Sequence, residues 1–149
     1  AKPPTIVEVT RDRYLDGERF SIDFALRVAA HLAAALEYLH AHHVAHGDVY
    51  AHNVLVDDAS MTVKLADFGA AFYYGNLPHK HHVEALECRA LGVLIAELAP
   101  RVVDDDARKK TLLDLAQTAL DVDANKRPSM SQLRASLANL HRLQPDGPF

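Results

Sequence analysis

Between Ser21 and His42 apolar residues return every three or four positions, at Phe24, Val28, Leu32, Ala35, Leu36 and Leu39. That period is helical, and the run is long enough to make one dominant helix. Ser21 supplies a hydroxyl at the N-cap position. Beyond His43 the chain changes character. Val44–Asn53 is polar, contains Gly47 and reads as a loop. Val54-Leu55-Val56 and Thr62-Val63-Lys64-Leu65 are short β-type runs, with Asp57-Asp58-Ala59-Ser60-Met61 as a hairpin turn between them. A second loop is expected over Asp67–His82. Helices are expected over about Val83–Leu98, ending before Pro100, over about Ala107–Leu120, and from a cap at Ser129 or Ser131 to about Leu140. The expected fold class is mainly α (α+β): a helical domain with one small β-hairpin. The expected organisation is one domain over 1–149. It divides into a lead-in at 1–20, a region at 21–98 holding the hairpin and a central helix, C-terminal helices at 99–142 and a tail at 143–149.

The 149 residues are enough for one domain with a real core. Hydrophobic residues make up 49% and charged residues 24%, the balance of a folded chain rather than a disordered one. Sixteen Lys and Arg stand against twenty Asp and Glu, for a net charge of −4. No basic excess exists to hold a phosphate backbone, so nucleic acid is not the expected partner. Cys88 is the single cysteine, which excludes an intrachain disulfide and a cysteine-based zinc site. That usage suits a reducing, cytoplasmic location. No apolar run reaches membrane-spanning length, so no membrane association is expected.

The chemistry-bearing residues cluster around the hairpin. Asp48 lies in the loop delivered by the long helix. Asn53 precedes the first β run, and Asp67 opens Asp67-Phe68-Gly69 just after the second. A tight hairpin returns Asn53 and Asp67 to one end of the β patch, with Asp48 beside them. Two oxygen donors and a nearby carboxylate suit Mg²⁺ bound to a phosphate, because Mg²⁺ takes one or two protein oxygens and keeps water and phosphate for the rest.

His46-Gly47-Asp48-Val49-Tyr50-Ala51-His52-Asn53 resembles the catalytic loop of protein kinases, and Asp67-Phe68-Gly69 resembles their metal-binding motif. Glu87–Leu98 resembles the family's buried central helix. Asp121–Met130, with Lys126-Arg127-Pro128-Ser129, resembles its Arg-Pro turn. Within that family, Thr10–Tyr14 and Asp67–Ala71 resemble bacterial leucine-rich-repeat protein kinases. The resemblance spans nearly the whole chain but only the family's C-terminal lobe. It implies a phosphotransferase that uses ATP and Mg²⁺. Asp48 would be the catalytic base, Asn53 and Asp67 the metal ligands, and Leu55 the residue under the adenine. His46 and Phe68 would be stacked support, Gly69 part of the motif turn, and Glu87 an acceptor for catalytic-loop backbone. Arg127 would pair with Glu84 or Glu87.

The departures matter too. The six glycines never form G-x-G-x-x-G, and no strand lysine of the V-A-I-K type occurs. The N-terminal lobe is therefore expected to lie outside this chain, or to come from a partner. Gly47 stands where the family has arginine. The stretch from Gly69 to Glu87 is short and lacks Ser and Thr, which leaves Tyr73 and Tyr74 as its hydroxyl-bearing residues. Two other functions stay open: a pseudokinase or scaffold module, and a small-molecule kinase of the aminoglycoside or choline type. An uncovered cleft face is expected at Leu55, the hairpin strands and Pro3–Val9, which points to self-association or a partner. Bland readings apply elsewhere. His79-Lys80-His81-His82 reads as a solvated loop, His40, His42 and His43 as a helix end, Asp104-Asp105-Asp106 as a helix-capping run, and Arg108-Lys109-Lys110 as a solvated face.

Overall fold

In the computed structural model, residues 17–57, 60 and 62–142 are described. The lead-in through residue 16, the apolar stretch Pro3–Val9 and the tail from 143 lie outside the described residues. Helix α1 runs Ile22–Ala41. The Ser21 hydroxyl accepts from the Phe24 amide at 3.1 Å, which satisfies one of the first-turn donors. A second acceptor comes from far along the chain, since Asp104 Oδ1 takes the Ile22 amide at 2.8 Å. Strand β1 is Val44–Ala45, and a 3₁₀ turn at Ala51–Asn53 leads into β2, Val54–Asp57. Strand β3 is Thr62–Leu65, and β4 is Phe72–Tyr73. Helices α2 (Lys80–Leu98), α3 (Asp106–Ala119) and α4 (Met130–Arg142) complete the order. Among the described residues the architecture is helical and carries two antiparallel two-stranded ladders, β2 with β3 and β1 with β4.

The core forms where the helices face one another. Ile22, Leu26, Leu32 and Leu36 of α1 meet Leu91 and Ile95 of α2, and Leu112, Leu133 and Leu137 close it from α3 and α4. With Ala29 between Leu26 and Leu32, the α1 positions repeat at three- and four-residue intervals, which gives the helix one apolar stripe. A side chain at Gly92 would bring its Cβ within 2.8 Å of the Ala119 methyl, so α2 and α3 cross closely there. Phe20 forms a parallel bridge with Val102 and ties the start of α1 to the chain after α2. No described helix is long and apolar enough to cross a membrane.

Several expectations change. Val44–Asn53 is not loop throughout, because Val44 and Ala45 pair with Tyr73 and Phe72. Helix α2 begins at Lys80 rather than Val83; His79 turns into it with φ 59°, and His81 and His82 lie exposed on its first turn. Asp105 is the N-cap of α3, accepting from the Arg108 amide at 2.8 Å, as the capping-run reading expects. Arg108, by contrast, is not on a solvated face. Its guanidinium bonds Asp105 at 2.7 Å and Asp23 at 3.0 Å with the side chain largely buried, and Lys109 Nζ donates to the Val102 carbonyl.

Candidate functional site

The catalytic-loop-like segment is held from below by one carboxylate. Glu87 sits on the buried side of α2, with its side chain 7% exposed. Its Oε1 accepts from the Gly47 amide at 2.8 Å, and its Oε2 accepts from His40 Nε2 at 2.8 Å. An unpaired buried carboxylate is costly, and here both oxygens have partners. His40 is thus turned into the core instead of serving α1's exposed end. His42 does serve that end, donating from Nδ1 to the Tyr38 carbonyl at 2.8 Å.

Above this brace, His46 is fully buried. Its Nε2 donates to the Ala66 carbonyl at 2.9 Å, its Nδ1 accepts from the Asp48 amide at 3.4 Å, and its ring meets Phe68 edge-on with centroids 4.7 Å apart. A carbonyl can only accept, so the Nε2–H tautomer is required. One imidazole therefore links the Asp48 loop to the chain entering Asp67. Gly47 permits this route. Its φ is +80°, and a Cβ there would stand 2.5 Å from the Ala70 carbonyl oxygen. The arginine usual at this place in the resembling family does not fit, because the short segment after Asp67-Phe68-Gly69 folds back against the loop.

The three polar residues converge as the hairpin requires. Asn53 is buried, and its amide nitrogen donates to the Asp48 carbonyl at 2.8 Å and to Asp48 Oδ2 at 3.1 Å. The Ala66 amide donates to the Asn53 carbonyl at 2.8 Å, which sets Asp67 one residue away. Asp67 adopts φ 57°, and its Oδ1 accepts from the Gly69 amide at 3.0 Å. Asp48 and Asp67 both reach solvent on this edge. With the Asn53 nitrogen committed to Asp48, its Oδ1 is left to accept or to ligate. Asp67 keeps Oδ2 for the same purpose.

Leu55 is 58% exposed. Val54 and Val56 turn to the other face of β2, where they line a cavity of about 660 Å³ shared with Phe20, Phe24, Leu94 and Leu98. Arg127 departs from expectation. It forms no ion pair with Glu84 or Glu87; Nε donates to the Asp121 carbonyl at 2.8 Å and Nη1 to the Ala85 carbonyl at 3.0 Å. The guanidinium fork thus spans two backbone acceptors, and both acids are engaged elsewhere.

The partner of Glu84 is a residue that sequence reasoning undervalued. Tyr74 is fully buried, and its hydroxyl donates to Glu84 Oε1 at 2.8 Å and lies 3.3 Å from the His40 carbonyl. Burial first, then the Glu84 carboxylate, push that hydroxyl well above its usual range. Its amide also donates to the His43 carbonyl at 2.8 Å. Tyr74 is therefore an anchor rather than an accessible hydroxyl, whereas Tyr73 is exposed. The available signal was an aromatic residue standing a short distance before an acid on the next helix.

The sequence profile of the protein kinase domain matches residues 8–86. An Aurora kinase of Schizosaccharomyces pombe is 29% identical over 140 residues, covering 80% of this chain and 39% of that protein. The carbon catabolite-derepressing protein kinase of Secale cereale is 33% identical over 87 residues, covering 58% of this chain and 16% of the relative. A protein kinase and PP2C-like domain-containing protein of Arabidopsis thaliana is 49% identical over 57 residues, covering 38% of this chain and 8% of the relative. The chain thus spans well under two thirds of the length of these relatives. The profile match takes in more than half of the residues, and the chain belongs to the protein kinase domain family.

Proposed function

We propose that this chain is the metal- and acceptor-bearing lobe of a protein-kinase phosphotransferase, moving the ATP γ-phosphate to a hydroxyl when an N-terminal lobe completes the cleft. The observation that carries the reading is the Asn53 side chain, bonded to both the carboxylate and the carbonyl of Asp48 while its own backbone holds the residue before Asp67. Asp48 accepts the proton of the attacking hydroxyl as the new P–O bond forms and ADP leaves. Asn53 Oδ1 and Asp67 Oδ2 would hold Mg²⁺, which supplies charge neutralisation on the phosphates. The donor set fits that ion: hard oxygens, one of them a carboxylate oxygen not used by the Gly69 turn. Leu55 offers an apolar surface to the base of the nucleotide. His46, Phe68, Gly69 and Glu87 hold these groups in register, and Arg127 fastens the helix behind them.

No Gly-rich loop and no V-A-I-K lysine occur in these 149 residues, so this chain alone orients phosphate poorly. Calorimetry with Mg-ATP should give a high-micromolar to millimolar affinity, about −4 to −6 kcal/mol, lost in Asp67→Ala. Mn²⁺ should broaden the amide resonances of Asn53 and Asp67. Affinity unchanged in Asp67→Ala overturns the reading. A scaffold reading draws on the exposure of Leu55, Phe72 and Leu86. It expects self-association or partner capture that Asp48→Asn leaves intact, measurable by sedimentation.

A further inference from the structure

Helix α2 is packed by α1, α3, β1 and the 3₁₀ turns at Ala99–Arg101 and Ala124–Lys126, yet one side of it stays open. His82, Leu86, Arg89 and Val93 follow one another at helical spacing and are all exposed, and half-buried Ala96 continues the line. Leu86 is 63% and Val93 36% exposed. We propose that this stripe is a docking surface for an amphipathic helix of another protein, one that carries acidic side chains beside its apolar ones. The proposal does not depend on phosphotransfer.

Shape sets the kind of partner. From His82 to Ala96 the stripe is about 21 Å long at 1.5 Å per residue, room for about four turns of a second helix. Leu86 and Val93 stand about two turns apart as apolar anchors, and the small Ala90 between them lets a helix approach closely. Charge sets the composition. Lys80 and Arg89 are cations with no ion pair among the described residues, and His81 and His82 add ring N–H donors beside them. The first turn of α2 holds no acid. The acids further along are committed elsewhere: Glu84 accepts from Tyr74, Glu87 is held by Gly47 and His40, and Glu97 is half-buried with an interaction of its own. A carboxylate on the partner therefore gains an unpaired cation, whereas a basic partner meets like charge. A second copy of this chain fits poorly for the same reason. Arg89 lies midway between His82 and Ala96, so a two-fold pairing along the stripe sets Arg89 against its own copy, whether the helices run parallel or antiparallel.

The test is an amide chemical-shift titration of this chain with three blocked peptides of about four helical turns. The first has leucines at three- and four-residue spacing and glutamates elsewhere. The second replaces the glutamates with lysines, and the third scrambles the first so that the leucines lose their spacing. The acidic peptide should move the Leu86, Arg89 and Val93 amides, with an affinity that falls as salt is raised. Arg89→Glu, at an exposed position, should weaken that binding about tenfold, and Leu86→Gln should weaken it similarly. The proposal falls if the lysine peptide or the scrambled peptide binds equally well, if no amide of the stripe moves, or if Arg89→Glu leaves the affinity unchanged. Two controls address other occupants. Stripe shifts that track protein concentration without peptide put a second copy there, and stripe amides broadened by phosphatidylserine vesicles but not moved by the acidic peptide put a membrane there. Either result overturns the assignment.

Discussion

Removing the Glu87 carboxylate tests the brace beneath the loop. Glu87→Ala strands the His40 Nε2–H, which is buried, and the Gly47 amide, which is partly reached by solvent. An unsatisfied buried donor costs about 1–3 kcal/mol, and a partly solvated one about 0.5–1 kcal/mol. The lost packing of the Cγ methylene adds to this, so about 2–4 kcal/mol is expected in total. With a urea m-value of about 2 kcal/mol/M, the midpoint should fall by about 1–2 M. Glu87→Gln keeps an oxygen for Gly47 and offers its amide to His40 only if the imidazole adopts the other tautomer. Its cost should be about 1 kcal/mol. The assay is a set of urea melts followed by far-UV circular dichroism, with m compared across variants. A Glu87→Ala midpoint equal to that of the parent refutes the reasoning, and so does a Glu87→Gln variant less stable than Glu87→Ala.

Gly47→Ala should destabilise by about 1–3 kcal/mol, because it combines a left-handed φ with a Cβ driven into the Ala70 carbonyl, and thermal melts will show it. Cys88 is buried, and burial pushes its thiol up to about 11. Ellman's reagent should therefore leave native protein untouched at pH 8 and label it fully in urea. Asp105 accepts from the Arg108 backbone and then from its side chain, which holds its carboxyl below the usual range. Its folded pKa is depressed, so its contribution is present above the ordinary aspartate range and lost as pH falls through the folded value. Asp105→Asn should flatten that part of the acid-unfolding curve and leave the neutral-to-alkaline part parallel to the parent.

The elements with long apolar periods were legible. α1, α3 and α4 lie within a residue or two of their sequence ranges, and the β2–β3 hairpin runs from the expected residues. The β1–β4 ladder was not legible, because two residues per strand carry no period, and its pairing depends on where α1 and α2 bring Val44 and Phe72. The start of α2 was missed because Lys80-His81-His82 is polar and shows no stripe. At the candidate site the convergence of Asp48 with Asn53 came from motif spacing, and the Glu87 contact with the loop backbone from the resemblance. The partner of Arg127 came from neither. Sequence reveals a cation, but the choice between a carboxylate and two carbonyls is made by packing that commits Glu84 to Tyr74 and Glu87 to His40.

Tyr74 gives the segment after Asp67-Phe68-Gly69 a particular kind of behaviour. Its ring and hydroxyl are locked between α1 and α2, and its amide is bound to the turn at the end of α1. The segment cannot swing outward without withdrawing a fully buried aromatic and uncoupling Glu84, so it is a fixed sill rather than a gate. An enzyme acting on the Tyr74 hydroxyl would have to catch a locally unfolded molecule, and phosphate found there would count how often the sill lifts. Tyr73, one residue away and turned to solvent, provides the reference rate on the same segment, so the ratio of the two modifications measures the opening equilibrium directly.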